Sequence, residues 1–106
     1  MSSRWVLLPS ARSDIDEIAS FIARDNLPAA HRFIERALDS IETVADNPGF
    51  GTKLPSSPKW EIRRWRVTGF NSYVIIYRRV TTGIRVLRIV HGARDLKNIL
   101  ADLHDT

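Results

Sequence analysis

The sequence contains no cysteine. Disulfides and thiolate metal sites are thereby excluded, a reducing compartment is compatible with the chain, and stability has to come from packing. Long apolar runs are missing as well. Stretches such as residues 6–8 and 74–77 fall far short of the ~20 residues that a membrane-spanning helix needs. The opening Met1-Ser2-Ser3-Arg4 lacks the apolar segment of a secretory signal, so the expected location is the cytoplasm. Three histidines, His31, His91 and His104, are dispersed without ligand spacing, and no thiol can assist them. No metal and no cofactor is expected. Gly49-Phe50-Gly51 is not a phosphate loop, because the surrounding strand, helix and lysine pattern is absent.

What is present has the balance of an ordinary folded domain, with 43% hydrophobic and 26% charged residues in a chain of 106. That length fits one hydrophobic core, so residues 1–106 are expected to form a single domain. A formal net charge of +4, with a sequence pI near 10.1, predicts attraction to polyanions, whether nucleic acid or an acidic protein.

The hydrophobic period changes along the chain. Trp5-Val6-Leu7-Leu8, closed by Pro9, is a compact β-favouring run and predicts a short buried strand. Ala11, Ile15, Ile18, Ala19 and Ile22 then recur at helical spacing, with Arg12, Asp14, Asp16, Glu17, Ser20 and Arg24 opposite. Asp14, Asp16 and Glu17 are expected in an exposed first turn, where carboxylates complement the helix dipole. Asn26 and Pro28 start a second helix, the first as a cap and the second as a first-turn residue. Its apolar stripe runs through Ala30, Phe33, Ile34, Ala37, Leu38, Ile41, Val44 and Ala45 until Asp46-Asn47-Pro48-Gly49. Residues 50–59 lose periodicity and predict a surface loop. From residue 61 the period is two. Residues 61–68, 72–80 and 84–91 predict three antiparallel strands joined by turns at residues 69–71 and 81–83. Residues 93–104 predict a helix with Leu96, Ile99, Leu100 and Leu103 on one side, able to pack on the sheet or on a partner. The expected fold is α+β, in the order β-α-α-β-β-β-α, with a helical hairpin on a small antiparallel sheet.

Particular segments carry a family likeness. They are Pro9-Ser10-Ala11, Asp14-Ile15-Asp16-Glu17-Ile18-Ala19-Ser20-Phe21-Ile22, Ala29-Ala30-His31-Arg32-Phe33 and Asn47-Pro48-Gly49-Phe50-Gly51. Ile62-Arg63-Arg64-Trp65, Tyr73-Val74-Ile75-Ile76-Tyr77-Arg78 and the stretch from Val86 through His91-Gly92-Ala93-Arg94-Asp95 to Leu96 continue the series. In order and spacing they resemble the RelE/ParE toxin superfamily, and most closely its ParE-like branch of plasmid stabilisation toxins. The resemblance implies the toxin of a type II toxin–antitoxin module, held by an acidic, partly disordered antitoxin that wraps its sheet and helices. ParE-type members block DNA gyrase, whereas RelE-type members cut messenger RNA on the ribosome. Fold alone does not separate these activities, since activity resides in surface residues.

RNA cleavage through the 2′-hydroxyl needs a proton acceptor, a proton donor and cations for the phosphorane charge. Arg64, Arg66, His91 and Arg94 are the candidates, with Lys53 and Lys59 able to approach from the loop. Each has a plainer reading, as a solvated strand face, a hydrogen-bonded histidine or solubilising lysines. The features typical of RelE-like nucleases are reduced here. No tyrosine follows Arg94, and the expected lysine cluster is only Lys53 and Lys59. The leading expectation is a non-catalytic inhibitor of gyrase. A ribosome-dependent endoribonuclease, and an inactivated relative that binds only antitoxin, are the alternatives. Expected target or antitoxin contacts are Lys53, Lys59, Trp60, Arg64, Arg66, Arg94, Leu96, Ile99, Leu100 and Leu103. Trp5 and Trp65 are expected in the core, and Trp60 either buried or at an interface.

Overall fold

The computed structural model describes residues 4–55 and 61–104, apart from the side chains of residues 100 and 102–104. Strand β1 (Trp5–Leu7) leads into helices α1 (Pro9–Ala23) and α2 (Leu27–Asp46). Strands β2 (Thr52–Lys53), β3 (Ile62–Val67), β4 (Phe70–Val80) and β5 (Gly83–His91) follow, and helix α3 (Gly92–His104) ends the order. This is the expected α+β succession with one added strand.

The five strands form one sheet in the order β1-β5-β4-β3-β2. The segment from β2 to β5 is antiparallel, while β1 joins β5 in parallel, with Val6 opposite Arg85. Parallel pairing needs a crossover, and the α1–α2 hairpin with the following strands supplies it. The approach of β1 depends on Gly83. Its φ is +147°, and a methyl group there would collide with the Arg4 carbonyl, which accepts the Ile84 amide at 2.8 Å.

Local signals explain the helices. Pro9 sits in the first turn of α1, and the Asn26 side chain caps α2 by accepting the Ala29 amide at 3.0 Å. The two helices pack side by side on one sheet face. Ala11, Ile15, Phe33, Ala37, Ile41 and Val44 meet Val67, Ile75, Tyr77, Val86 and Ile89 there. Phe33 lies fully buried, with the Phe70 and Tyr73 rings edge-on at 5.3 and 5.4 Å. The other face carries a second apolar cluster of Leu54, Ile62, Val74, Ile76 and Val90, which Ile99 and Leu96 of α3 cover. The sheet is therefore a middle layer.

Several sequence expectations are corrected: the sheet is mixed and not purely antiparallel, because β1 runs parallel to β5, and β1 is not buried, with Val6 54% exposed. Residues 50–59 are not wholly irregular, because Thr52 and Lys53 pair with Arg64 and Arg63 as β2. Asp14 is not in an exposed first turn. It is the sixth residue of α1 and only 7% exposed. Asp16 and Glu17 are exposed as expected, but they too lie beyond the first turn, which holds no acidic residue. Trp5 and Trp65 are half-buried at the rim of the first cluster, and the Trp5 indole donates to Glu42 Oε1 at 3.3 Å.

Candidate partner-binding surfaces

Strands β3 to β5 hold seven arginines and no acidic residue. The fold gives them distinct environments. Arg88 is consumed by Asp14: Nε and Nη2 donate to the two carboxylate oxygens at 2.7 and 2.8 Å. The same carboxylate accepts the Ile89 amide at 2.9 Å. Strand β1 ends at Leu7, opposite Val86, so beyond that point β5 has no neighbouring strand on this side. Asp14 takes the place of one. A forked, charge-assisted pair with a third donor leaves the buried carboxylate satisfied.

Arg63 is also built in. It donates to Glu61 at 2.8 Å and to the carbonyls of Gly51 and Gly49 at 2.6 and 3.3 Å. That hydrogen bond, with the arginine charge, holds the Glu61 carboxyl below its ordinary range. The same loop is fixed from beneath by Tyr77, whose hydroxyl donates to the Pro48 carbonyl at 2.8 Å and accepts the Gly51 amide at 3.0 Å. Burial pushes the Tyr77 phenol up from its ordinary value, with a smaller opposing effect from the Gly51 bond. The Asn47-Pro48-Gly49-Phe50-Gly51 segment is thus a clamp around one phenol and one guanidinium.

Arg64, Arg66, Arg78 and Arg85 share the remaining face. Cross-strand partners point to the same side of a sheet, and Arg64 lies opposite Ile76, Arg66 opposite Val74, Ile62 opposite Arg78, and Arg78 opposite Arg85. Ile62, Val74 and Ile76 belong to the cluster beneath α3, so these arginines lie on the sheet face that α3 packs against. Arg66 and Arg85 are exposed and Arg64 half-exposed. Among the described residues none of these three takes part in an ion pair. Arg64 and Arg66, with Thr52, Trp65, Thr68, Gly69 and Asn71, line an open hollow of about 570 Å³ at the β3 edge.

His91 lies on the opposite face. It pairs with Tyr73, their rings meet edge-on at 5.6 Å, and Tyr73 in turn contacts Phe33 of α2. His91 Nδ1 accepts the Arg94 amide at 3.2 Å, a cap on the first turn of α3 that leaves the neutral ring's proton on Nε2. Arg94 is exposed and 3.7 Å from Asp95. These residues border a second groove of about 430 Å³ with Glu17, Phe21 and Asn98. Of the four nuclease candidates, His91 therefore lies on the sheet face opposite Arg64 and Arg66, while Arg94 stands on α3 next to His91.

The other expected contacts are dispersed. Lys53 is on β2, 3.8 Å from Glu61. Ile99 is buried and Leu96 half-buried against the sheet. Lys59 and Trp60, and the side chains of Leu100 and Leu103, lie outside the described residues. Among the described residues no group of three or more acidic or histidine side chains could hold a metal ion, and no helix is long and apolar enough to cross a membrane. The Asp14–Arg88 pair escaped sequence reasoning although a signal existed. Asp14 occupies a position of the apolar stripe between Ala11 and Ile15, where a carboxylate requires a buried cationic partner.

The model of the ParE toxin of type II toxin–antitoxin systems of the parDE kind matches residues 6–96. The chain belongs to that toxin family. The matched span runs from β1 into the first turns of α3, so the ParE family pattern includes the helical hairpin, the loop clamp and the whole arginine-bearing sheet. A search of curated proteins finds no match to this ParE family member.

Proposed function

We propose that this ParE-family toxin acts by binding rather than by cutting RNA, that its target is DNA gyrase, and that an acidic, partly disordered antitoxin restrains it in the cytoplasm. The observation that carries the non-catalytic reading is the placement of His91 on the sheet face opposite Arg64 and Arg66. General acid–base cleavage needs its proton-transfer group within hydrogen-bond reach of the atoms whose charge the arginines neutralise. Here the sheet stands between them, and the His91 Nδ1 is already engaged in capping α3. The gyrase assignment rests on the likeness to ParE-type toxins. A face bearing the exposed Arg66 and Arg85 beside Arg64 suits a protein that recognises acidic surfaces.

The test measures gyrase supercoiling and messenger integrity on translating ribosomes in parallel, with the same purified protein. Blocked supercoiling with intact messenger is the expected result. Codon-positioned cleavage without any effect on gyrase would overturn the proposal in favour of a ribosome-dependent nuclease. A companion variant, His91→Ala, is expected to lose about 1 kcal/mol of stability with its cap and to keep full inhibition at matched concentration. Lost inhibition at an unchanged melting temperature would assign His91 to chemistry.

A further inference from the structure

Both strands at the edges of the sheet stop short of the strand they pair with, and the fold treats the two gaps differently. Beyond β1, the outward amide of Ile89 is taken by Asp14, and Arg88 closes over it. Beyond β2 no such plug exists among the described residues. The Leu54 amide bonds the Ile62 carbonyl at 2.8 Å, and strand alternation makes Arg64 the next β3 residue bonded outward, opposite Thr52. Arg66 is the one after that. The chain that would reach it has turned away, since the Phe50 amide bonds the Asn47 carbonyl and the Gly51 amide bonds the Tyr77 hydroxyl. Two residues further on, the Thr68 amide is closed by Ser40 Oγ at 3.0 Å. The outward amide and carbonyl of Arg66 therefore stand at the edge between two satisfied neighbours.

We propose that this gap in the β3 edge receives an extended segment of the antitoxin in which acidic and apolar residues alternate. The site rests on the reading above, that a partner protein restrains this toxin. Side chains along the edge alternate in kind. Arg64 and Arg66 project to the face beside α3, while Trp65 projects to the other, where its ring lies 6.0 Å from that of Phe50, itself 57% exposed. A strand laid along this edge presents its own side chains alternately to the same two faces. Acidic residues two apart meet the guanidinium groups, and the residue between them covers the Trp65–Phe50 pair. A nucleic-acid strand has no such alternation, for its phosphates and bases do not exchange sides at every step. Main-chain bonds to Arg66 supply pairing, and the charge pattern selects register.

The test uses the toxin co-purified with the protein encoded beside its gene. Amide exchange of the free and bound toxin is compared residue by residue, and affinity is measured for wild type and for the double variant Arg64→Glu, Arg66→Glu. The expected result is slowed exchange at Arg66 on binding, together with affinity at least tenfold weaker in the double variant. Helix content and melting temperature verify that the variant is folded. If a complex forms but Arg66 exchanges at its free rate, the site is wrong, even where the variant cannot be prepared. Unchanged affinity in a folded double variant also defeats it. Absence of any complex with wild type sinks the partner reading itself, and the site with it.

Discussion

Asp14 accepts three hydrogen bonds, two from the Arg88 guanidinium and one from the Ile89 amide. Removing the carboxylate leaves a cation with 31% of its side chain exposed and a main-chain donor unpaired at a sheet edge. Asp14→Ala is therefore expected to cost about 3–5 kcal/mol, the range for breaking one side of a buried pair, as read by denaturant unfolding. A loss below ~1 kcal/mol would show that water replaces the carboxylate freely. Tyr77 is a second residue with an outsized part. Tyr77→Phe leaves the buried Gly51 amide and the Pro48 carbonyl without their partner and is expected to cost about 1–3 kcal/mol. Its pH dependence has a definite sign. A phenol whose folded-state value is raised ionises first in the unfolded chain, so it destabilises the fold as pH climbs through its ordinary value near 10. The wild type should lose stability more steeply than Tyr77→Phe above that pH, narrowing the gap between them. A constant gap through the alkaline range would contradict the burial of the hydroxyl. Neither role is visible in periodicity, because each depends on partners 26 or more residues distant.

Elements defined by a run of like signals were legible before the structure. The α2 stripe, with its Asn26 cap and its stop at Asn47-Pro48, and the β-branched alternation of β3 to β5 are of this kind. Short pieces held by distant contacts were not. Strand β2 has two exposed residues, and its place depends on the Tyr77 and Arg63 clamp that turns the chain at Gly51. The parallel direction of β1 depends on a missing side chain at Gly83. The arginine face was legible as a list of strand cations, but its separation from His91 depends on register. Hydrophobic alternation does not count the extra residue at Leu87 that shifts β5 against β4. Gly83→Ala tests the β1 junction. Positive φ and the Arg4 carbonyl together should cost about 2 kcal/mol or more, and β1 should detach before the rest unfolds. Amide exchange reads this directly, because the Ile84 amide bonded to Arg4 should lose protection while Ile75 and Ile76 keep theirs. Equal loss at all three positions would mean that β1 is part of one cooperative unit with the sheet.

Charge is divided unevenly over the whole molecule. Residues 9–46, the helical hairpin, hold four arginines and eight acidic residues, while the rest of the chain holds twelve basic and four acidic ones. The sheet, whose strands hold eight basic residues and no acidic one, is thus strongly positive and the hairpin negative, although the net charge is only +4. An acidic partner approaching such a body is oriented before contact, which raises its association rate. Salt screens this field over about 10 Å at 0.1 M and over about 3 Å at 1 M. Apolar contacts formed after docking are not screened in this way. The antitoxin complex should therefore associate at least tenfold more slowly when salt is raised from ~0.05 to ~0.5 M, with a much smaller change in dissociation rate. Stopped-flow association at both salt concentrations measures the first quantity, and displacement by unlabelled partner measures the second. A salt effect confined to dissociation would place the charges within the docked contact and not in long-range steering. No salt effect on either rate would remove the arginine face from recognition altogether.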